Sequence, residues 1–268
     1  MLLATVFFAI MNVSVKFIPH IPAIEIILFR SIFSLVFSYV VLKKQGVYVF
    51  GNNKPMLILR GVVGSVGLIS FFYTLQYIPL ASAVTMQYLS PIFTSVMGIF
   101  ILKERVRAIQ FLYFAISFAG VVVLQGFDAR VDWVFAGIGL ISAIFSGMAY
   151  IVIRKLKNTE HPLVIIFYFP LVALPVSGLV SYFSWVQPVG WDWLMLLWIG
   201  ICTQAAQYFL TLAYQNSNVA KVANLSYLGI IYALIFGFFF FGETFQIMSY
   251  VGMGLVLVGI LLNLRVKH

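Results

Sequence analysis

Three apolar stretches of the chain carry polar side chains that recur at the spacing of one helix face. Their hydroxyl, phenol and amide groups can donate and accept hydrogen bonds to a polar ligand or to one another. In lipid, such a face must turn toward neighbouring helices or toward a wet cavity. The members are Ser70, Tyr73, Thr74 and Tyr77; Gln87, Ser90, Pro91 and Thr94; and Gln204, Gln207, Tyr208 and Thr211.

Two interpretations of these polar faces stay open. Either the polar faces line one cavity, or they form hydrogen bonds between helices, each of which contributes about 0.6 kcal/mol. Interior Tyr and Asn side chains would suit amphipathic organic solutes, with aromatic packing as the alternative. We predict a pathway lined by Asn12, Arg30, Ser70, Tyr73, Thr74, Gln87, Tyr88, Tyr150, Gln204, Gln207, Tyr208, Asn224 and Tyr227.

Arg30 is the deepest charge that the sequence predicts. An arginine at the middle of a membrane costs about 2.5–3.5 kcal/mol on insertion scales, so it needs a partner, a carbonyl or water. It could attract a carboxylate or phosphate of a solute, or it could tie its helix to neighbouring helices. Glu25 lies five residues earlier and, at about 100° per residue, on a different face of the helix, so the two are not expected to pair.

The amino-acid composition indicates which kind of secondary structure carries these polar residues. Hydrophobic residues make up 63% of the 268 and charged residues 9%, and the mean hydropathy is +1.09. These values exclude a soluble globular enzyme and a disordered protein, and the unbroken apolar runs predict helices that span a bilayer. The predicted spans are 2–18, 22–42, 57–78, 81–102, 108–125, 134–153, 162–184, 192–213, 219–241 and 245–264.

The basic residues predict the orientation of these spans. Of the 16 Lys and Arg residues, 12 fall in the connections after even-numbered spans, in the C-terminal tail or at Arg60, which opens the third span on that side. Lys16 and Arg130 fall on the opposite side. Basic residues gather in cytoplasmic loops, so both termini are predicted to be cytoplasmic, and the net charge of +9 indicates membrane topology rather than nucleic-acid binding.

The two halves of the chain resemble each other. Glu104 precedes Gly120 by the same 16 residues that separate Glu243 from Gly259, and Tyr88 matches Tyr227 at the same shift of 139. Each half, 1–130 and 131–268, holds five predicted spans, so the halves would enter the membrane in opposite directions. This inverted repeat is typical of secondary transporters. The two glutamates lie at loop ends, where we interpret them as helix caps or loop partners.

These features resemble the EamA-type drug/metabolite transporters, over about residues 4 to 264. The matching motifs are Phe29-Arg30, Arg60-Gly61, Pro91, Lys103-Glu104-Arg105 and Gly120. Two positions depart from the pattern: Gly229-Ile230 stands where the family often has proline, and Lys221 where a small residue is expected. The resemblance implies an all-α integral membrane protein, with ten transmembrane helices in two inverted five-helix repeats.

The expected function is secondary transport of a small organic metabolite or drug by alternating access, as an exporter or facilitator. A non-transporting scaffold or sensor, or a membrane-embedded lipid-modifying enzyme, are the alternatives. We expect no enzyme activity, cofactor, metal or nucleic-acid partner, and a multi-pass monomer in the bilayer of a bacterial inner membrane. No carboxylate is predicted deep within a span, which argues against proton antiport and leaves facilitated diffusion or exchange.

Overall fold

The computed structural model describes residues 1–101, 108–127, 130–216, 222, 225–226 and 228–265, and these ranges contain helices and turns but no strand. Most helices begin or end at a turn residue that the sequence marks, such as Pro22, Pro79 or Gly242. The helices are α1 (Leu2–Phe17), α2 (Ala23–Lys44), α3 (Lys54–Tyr77), α4 (Leu80–Gln87), α5 (Ser90–Ile101), α6 (Ala108–Phe127), α7 (Trp133–Lys155), α8 (Pro162–Phe183), α9 (Trp191–Asn216), α10 (Leu228–Phe241) and α11 (Ile247–Arg265).

Five of these helices, α2, α3, α7, α8 and α9, are long and apolar enough to cross a membrane. The shorter apolar helices α1, α10 and α11 accompany them. A helix needs about 20 apolar residues to span the hydrocarbon core. The expected all-helical, multi-pass membrane architecture is therefore confirmed, while the number of ten spans and their inverted order stay predictions.

The fourth predicted span, 81–102, is not one helix. It is divided into α4 and α5 by a turn at Tyr88 and Leu89. Pro91 explains the break, because proline has no backbone N–H and its ring clashes with the carbonyl of the residue four positions earlier, here Gln87. The expectation of a continuous span at this point was therefore wrong, and the interruption places turn residues inside the bundle.

The turns gather at two ends of the molecule. At one end, called the Lys16 end, the turns 18–22, 78–79, 184–190 and 242–246 lie together, linked by hydrogen bonds such as those from Lys16 Nζ to the Ile78 carbonyl (3.1 Å) and from Arg130 Nη2 to the Thr244 carbonyl (2.9 Å). At the opposite Met1 end, the turns 45–53 and 156–161 meet. The helices therefore run back and forth between two layers of turns.

Helices of the two sequence halves alternate within the bundle. In packed pairs, α1 lies against α9, α2 against α8 and α9, and α3 against α7 and α8. One cluster of buried apolar side chains includes Ile18, Ile78 and Leu80 at the Lys16 end, and a second includes Leu42 and Leu163 at the Met1 end. Neither half forms a bundle independent of the other.

The α6–α11 seam is a close contact made by small residues. A Cβ atom on Gly120 would lie 2.6 Å from the backbone nitrogen of Val256, and one on Gly259 would lie 2.6 Å from the Tyr113 carbonyl oxygen. The Ser117 hydroxyl donates to the Val256 carbonyl at 3.4 Å. Small residues allow membrane helices to approach closely, so this seam depends on both glycines.

Candidate functional site

A cavity of about 900 Å³, including its open mouth, lies among helices from both halves of the sequence. The side chains in its wall come from seven helices and from the turn between α4 and α5. They include Phe8, Met11, Asn12, Arg60, Leu68, Phe71, Gln87, Tyr88, Ser90, Ser146, Tyr150, Phe169, Gln207 and Tyr214.

Five of the predicted pathway residues lie in this wall: Asn12, Gln87, Tyr88, Tyr150 and Gln207. They come from α1, the α4–α5 break, α7 and α9, and are separated along the chain by as many as 195 residues. The structure therefore brings them to one cavity, and their role in a pathway stays a prediction.

The Gln87 amide is held by hydrogen bonds across the cavity wall. Its Nε2 donates to the Ser146 hydroxyl at 2.8 Å, and its Oε1 accepts from the Ser142 hydroxyl at 2.6 Å. Ser142 also lies 2.8 Å from the Gly67 carbonyl, and the phenol of Tyr150 lies beside the Gln87 side chain. The amide at the end of α4 is thus fixed against α3 and α7.

Tyr88 lies against Gly229, one of the two residues that depart from the family pattern. A Cβ atom at position 229 would approach the ring Cζ of Tyr88 to 2.8 Å and would collide with its hydroxyl. The absence of a side chain at Gly229 therefore gives the Tyr88 phenol its place beside α10. The other departure, Lys221, lies outside the described residues, as do Glu104, Asn224 and Tyr227.

Other predicted pathway residues lie away from the cavity wall. Thr74 is buried and donates to the Ser70 carbonyl at 2.7 Å, while the Tyr73 ring is 41% exposed and packs on Tyr77 with centroids 4.7 Å apart. Gln204 is buried between α2 and α9. The residues of this group are Arg30, Ser70, Tyr73, Thr74, Gln204 and Tyr208.

Gln204 illustrates hydrogen bonding between helices. Its Oε1 accepts from the Ser34 hydroxyl, and its Nε2 donates to the Ser38 hydroxyl at 3.0 Å. All three side chains are buried. Here the polar face of α9 forms hydrogen bonds to α2, which agrees with the second interpretation of the polar faces, hydrogen bonding between helices.

Arg30 is almost fully buried, at 1% exposure, and lies between aromatic rings. Its Cζ atom is 5.6 Å from the ring centroid of Phe72 and 5.2 Å from that of Phe169, distances at which a cation is attracted to the face of a ring. Glu25 accepts instead from the backbone N–H of Val186 at 3.0 Å. Within the described part of the chain, Arg30 and Glu25 form no ion pair.

Arg60 is the cavity residue that sequence reasoning missed as a site. It was interpreted as a marker of the cytoplasmic side, yet its side chain is only 3% exposed and lines the cavity. Its Cζ atom lies 5.2 Å from the ring centroid of Phe169, the same ring that Arg30 contacts. The signal that could have found it is a charge inside the bounds of α3, followed by Gly61 and Gly64.

The Lys16 end is joined by contacts between the two sequence halves. Lys16 at the end of α1 forms an ion pair with Glu243, which follows α10. Both carboxylate oxygens of Glu243 lie 3.0 Å from the backbone nitrogen of Leu80, the first residue of α4. The Glu243 carboxylate therefore binds the Lys16 ammonium and the first backbone N–H of α4. Both contacts are in line with its predicted role as a helix cap or loop partner.

The Met1 end is joined by a second buried carboxylate. Glu160 Oε1 accepts from the backbone N–H groups of Asn52 at 2.7 Å and Asn53 at 2.5 Å. His161, the next residue, caps α8 through its Nδ1, which accepts from the Leu163 N–H at 3.3 Å. Burial lowers the pKa of the His161 imidazole, which keeps the ring neutral at neutral pH and Nδ1 able to accept.

The described residues offer no metal or thiol site in the cavity. In the portion of the chain that the structure describes, no group of three or more His, Cys, Asp or Glu side chains could hold a metal ion. Cys202 is buried and forms no disulfide. The groups that the described cavity wall offers are hydrogen-bonding side chains, aromatic rings and the charge of Arg60.

Comparison with protein families gives a match along the whole chain. The model of the EamA-like transporter family matches residues 1–125 and again residues 134–265. A solved crystal structure of 19% identity aligns with a TM-score of 0.70, covering 96% of this chain and 92% of the other, which is a likeness of fold alone.

Named relatives are transporters. The chain is 32% identical to the pseudopaline exporter CntI of Pseudomonas aeruginosa, over 99% of this chain and 94% of the exporter. It is 27% identical to solute carrier family 35 member G1 of Homo sapiens, over 91% and 72%, and 26% identical to a riboflavin transporter of Rhizobium johnstonii, over 99% and 89%. The family and these relatives confirm the expectation that the protein is a transporter rather than an enzyme.

Proposed function

We propose that this chain is a secondary transporter of a small organic solute, on the premise that it belongs to the EamA-like transporter family. The observation that carries the proposal is the cavity, whose wall is built from both halves and combines aromatic, amide and phenol groups. Such a mixture suits an amphipathic organic molecule. The named relatives carry different solutes, pseudopaline and riboflavin, so family membership leaves the solute open.

We further propose that residues 1–130 and 131–268 are inverted repeats related by a two-fold axis. The α6–α11 seam supports this, because its contacts are reciprocal at the shift of 139 residues. Gly120 packs on Val256, and Gly259, which matches Gly120, packs on Ser117, which matches Val256. A contact of residue i with j that is repeated as j with i is the mark of two-fold symmetry.

In the proposed mechanism, the two halves rock to expose the cavity alternately at each end. The Lys16 end is closed by the Lys16–Glu243 pair, whereas the cavity wall reaches Met1 and Tyr214 at the opposite end. The distribution of the basic residues supports a cytoplasmic Met1 end, with both termini inside, in a bacterial inner membrane. The structure would then be the state that loads or releases solute on the cytoplasmic side, in a monomer acting as exporter or facilitator.

A non-transporting sensor or scaffold of the same fold is the alternative that the sequence left open. A dry, close-packed interface between the halves would favour that alternative. The cavity and the transporter relatives favour transport instead.

The test is solute flux into liposomes that hold the purified chain, with no nucleotide added. Thermal-shift screening of amino acids, nucleosides and quaternary amines selects the solutes to be tested. We expect uptake of at least one of them, and a strong loss of uptake on Gln87→Ala, because Gln87 lines the cavity and orders its wall. Gln187→Ala, in the exposed turn before α9, is the matched control. Folded protein that moves none of the stabilising solutes would overturn the proposal.

A further inference from the structure

We infer that the cavity binds an organic anion, and that the guanidinium of Arg60 receives its carboxylate or phosphate oxygens. The inference rests on the proposed transport function for its biological meaning and narrows that function to a class of substrate. Binding itself can be measured without flux, so the two proposals can fail separately.

The first argument is the charge of the cavity wall. Arg60 is the one charged side chain among the described residues that line the cavity. Each acid with a described partner binds elsewhere: Glu25 a turn, Glu160 a loop, Asp192 a histidine and Glu243 a lysine. The wall therefore carries a positive charge that no described carboxylate balances. An anion in the cavity would balance it.

The second argument is the state of the guanidinium. Its Nε and Nη1 atoms are buried, and neither has a hydrogen-bond partner within the described ranges. A guanidinium carries five N–H donors and stays charged, and a buried charge without partners is strongly unfavourable. The planar fork of donors matches the two oxygens of a carboxylate or phosphate. The missing partners are hydrogen-bond acceptors, the kind of group that a carboxylate or phosphate supplies.

The third argument is that the position of the guanidinium is prepared. A Cβ atom at Gly64, one helical turn after Arg60, would collide with Arg60 Nη1 and would lie 2.9 and 3.0 Å from carbons of the Phe169 ring. The glycine therefore leaves the space in which the guanidinium rests near Phe169. An arginine fixed in this way loses less freedom when it binds a ligand.

The remaining wall narrows the class of anion. Asn12 also lines the cavity, and its buried Oδ1 atom has no hydrogen-bond partner among the described residues, which adds an unpaired acceptor beside the cavity. Phe8 and Phe71 provide aromatic surface. The fitting ligand is an organic acid with an apolar body, rather than an inorganic ion.

Calorimetry on the purified full chain, in a detergent without phosphate, tests this inference with three probes of similar skeleton. We expect 3-phenylpropionate to bind and phenethylamine, its cationic counterpart, not to bind. Phenyl phosphate shows whether the site takes a phosphate as well as a carboxylate. Repeating the titration in nanodiscs of phosphatidylcholine, with and without phosphatidylglycerol, shows whether an anionic lipid competes. Equal affinity for the propionate and the amine would overturn the inference, whereas loss of propionate binding in phosphatidylglycerol would support it, with the lipid phosphate as the bound anion.

Variants assign the binding to Arg60. Arg60→Gln should weaken 3-phenylpropionate binding by about tenfold or more, the size expected for hydrogen bonds to a charged group. Lys155→Gln removes a positive charge at the exposed end of α7 and is the control. Gly64→Ala keeps the charge of Arg60 but displaces its guanidinium, so this variant should also weaken 3-phenylpropionate binding. It replaces Arg60→Gln in the test if that variant fails to fold. Wild-type affinity in the folded variants would contradict the assignment.

Flux separates this inference from the proposed function. Arg60-independent uptake of a neutral or cationic solute, without anion binding, would refute the anion site and leave transport standing. Anion binding that depends on Arg60, in a chain that moves none of the bound probes, would refute transport and leave the anion site standing.

Discussion

The two ends of the bundle each use a buried glutamate to join the sequence halves, but in different ways. At the Met1 end, the partners of the Glu160 carboxylate among the described residues are neutral: the backbone N–H groups of Asn52 and Asn53. At the Lys16 end, Glu243 binds the backbone of Leu80 and also the ammonium of Lys16. Both glutamates are less than 9% exposed.

This difference indicates which of the two glutamate contacts can break and form again. A carboxylate bonded to backbone groups of a loop fixes the shape of that loop. A lysine at the end of a helix has a flexible stem and can turn its ammonium to water when a partner leaves. We therefore regard the Lys16–Glu243 pair as the contact that opens in the proposed mechanism, and the Glu160 contact as permanent.

The largest expected effect follows from breaking the pair. Glu243→Gln leaves the partly buried Lys16 ammonium without its counter-charge, and removal of one partner of a buried pair costs about 3 kcal/mol. This should favour opening of the Lys16 end. The readout is the labelling rate of a cysteine at Val84, a buried cavity residue one turn after Leu80, by a membrane-impermeant maleimide.

The control for this experiment is a second ionisable pair at the same end. His20 Nε2 and Asp192 Oδ2 lie 3.1 Å apart, and His20 is 54% exposed. His20→Ala should leave the labelling rate of Val84→Cys unchanged, because exposed pairs contribute little. An unchanged rate in Glu243→Gln would mean that the pair does not close this end.

The next effect tests the permanent contact. Glu160→Ala leaves two backbone N–H groups of the α2–α3 loop without their acceptor and should lower the free energy of unfolding by about 2 kcal/mol. A lower thermal midpoint by tryptophan fluorescence measures it. Glu160→Gln keeps one oxygen acceptor and should lose less. Faster labelling of Val84→Cys in Glu160→Ala would contradict the distinction between the two ends.

The last prediction concerns the α6–α11 seam, which should stay closed whichever end opens. Gly120→Ala places a methyl group against the backbone of α11 and should destabilise the protein by about 1–3 kcal/mol. Gly254→Ala, also in α11, meets no atom within 4 Å and should stabilise its helix by up to about 1 kcal/mol. Similar thermal midpoints for the two variants would contradict a tightly packed seam.

Much of the fold could be predicted from the sequence, because hydropathy acts on each segment by itself. The spans 22–42, 134–153 and 162–184 lie close to the bounds of α2, α7 and α8. The break after Gln87 was missed, because apolar residues continue through it and only Pro91 marks it. A proline that removes one hydrogen bond changes the helix without changing the hydropathy.

The candidate site was less predictable. Helix periodicity placed Tyr73 and Thr74 on one polar face, yet the Tyr73 ring faces outward onto Tyr77 and Phe135 while Thr74 is buried. A polar face covers a wide arc of the helix surface, and only packing decides which part of that arc contacts a neighbouring helix. Arg60 shows the same limit, since a charge near the end of a span can face water, lipid or a cavity.

The sequence by itself determined that this protein is a helical membrane protein of the EamA-like family, because apolar length and repeated motifs are properties of the chain alone. Only the tertiary structure decided that Gln87 lines a cavity while Gln204 fastens two helices, and that Lys16 meets a glutamate 227 residues away. In lipid, all these helices are similarly apolar. Their mutual arrangement therefore depends on the fit of small and polar side chains between helices, which no single segment specifies.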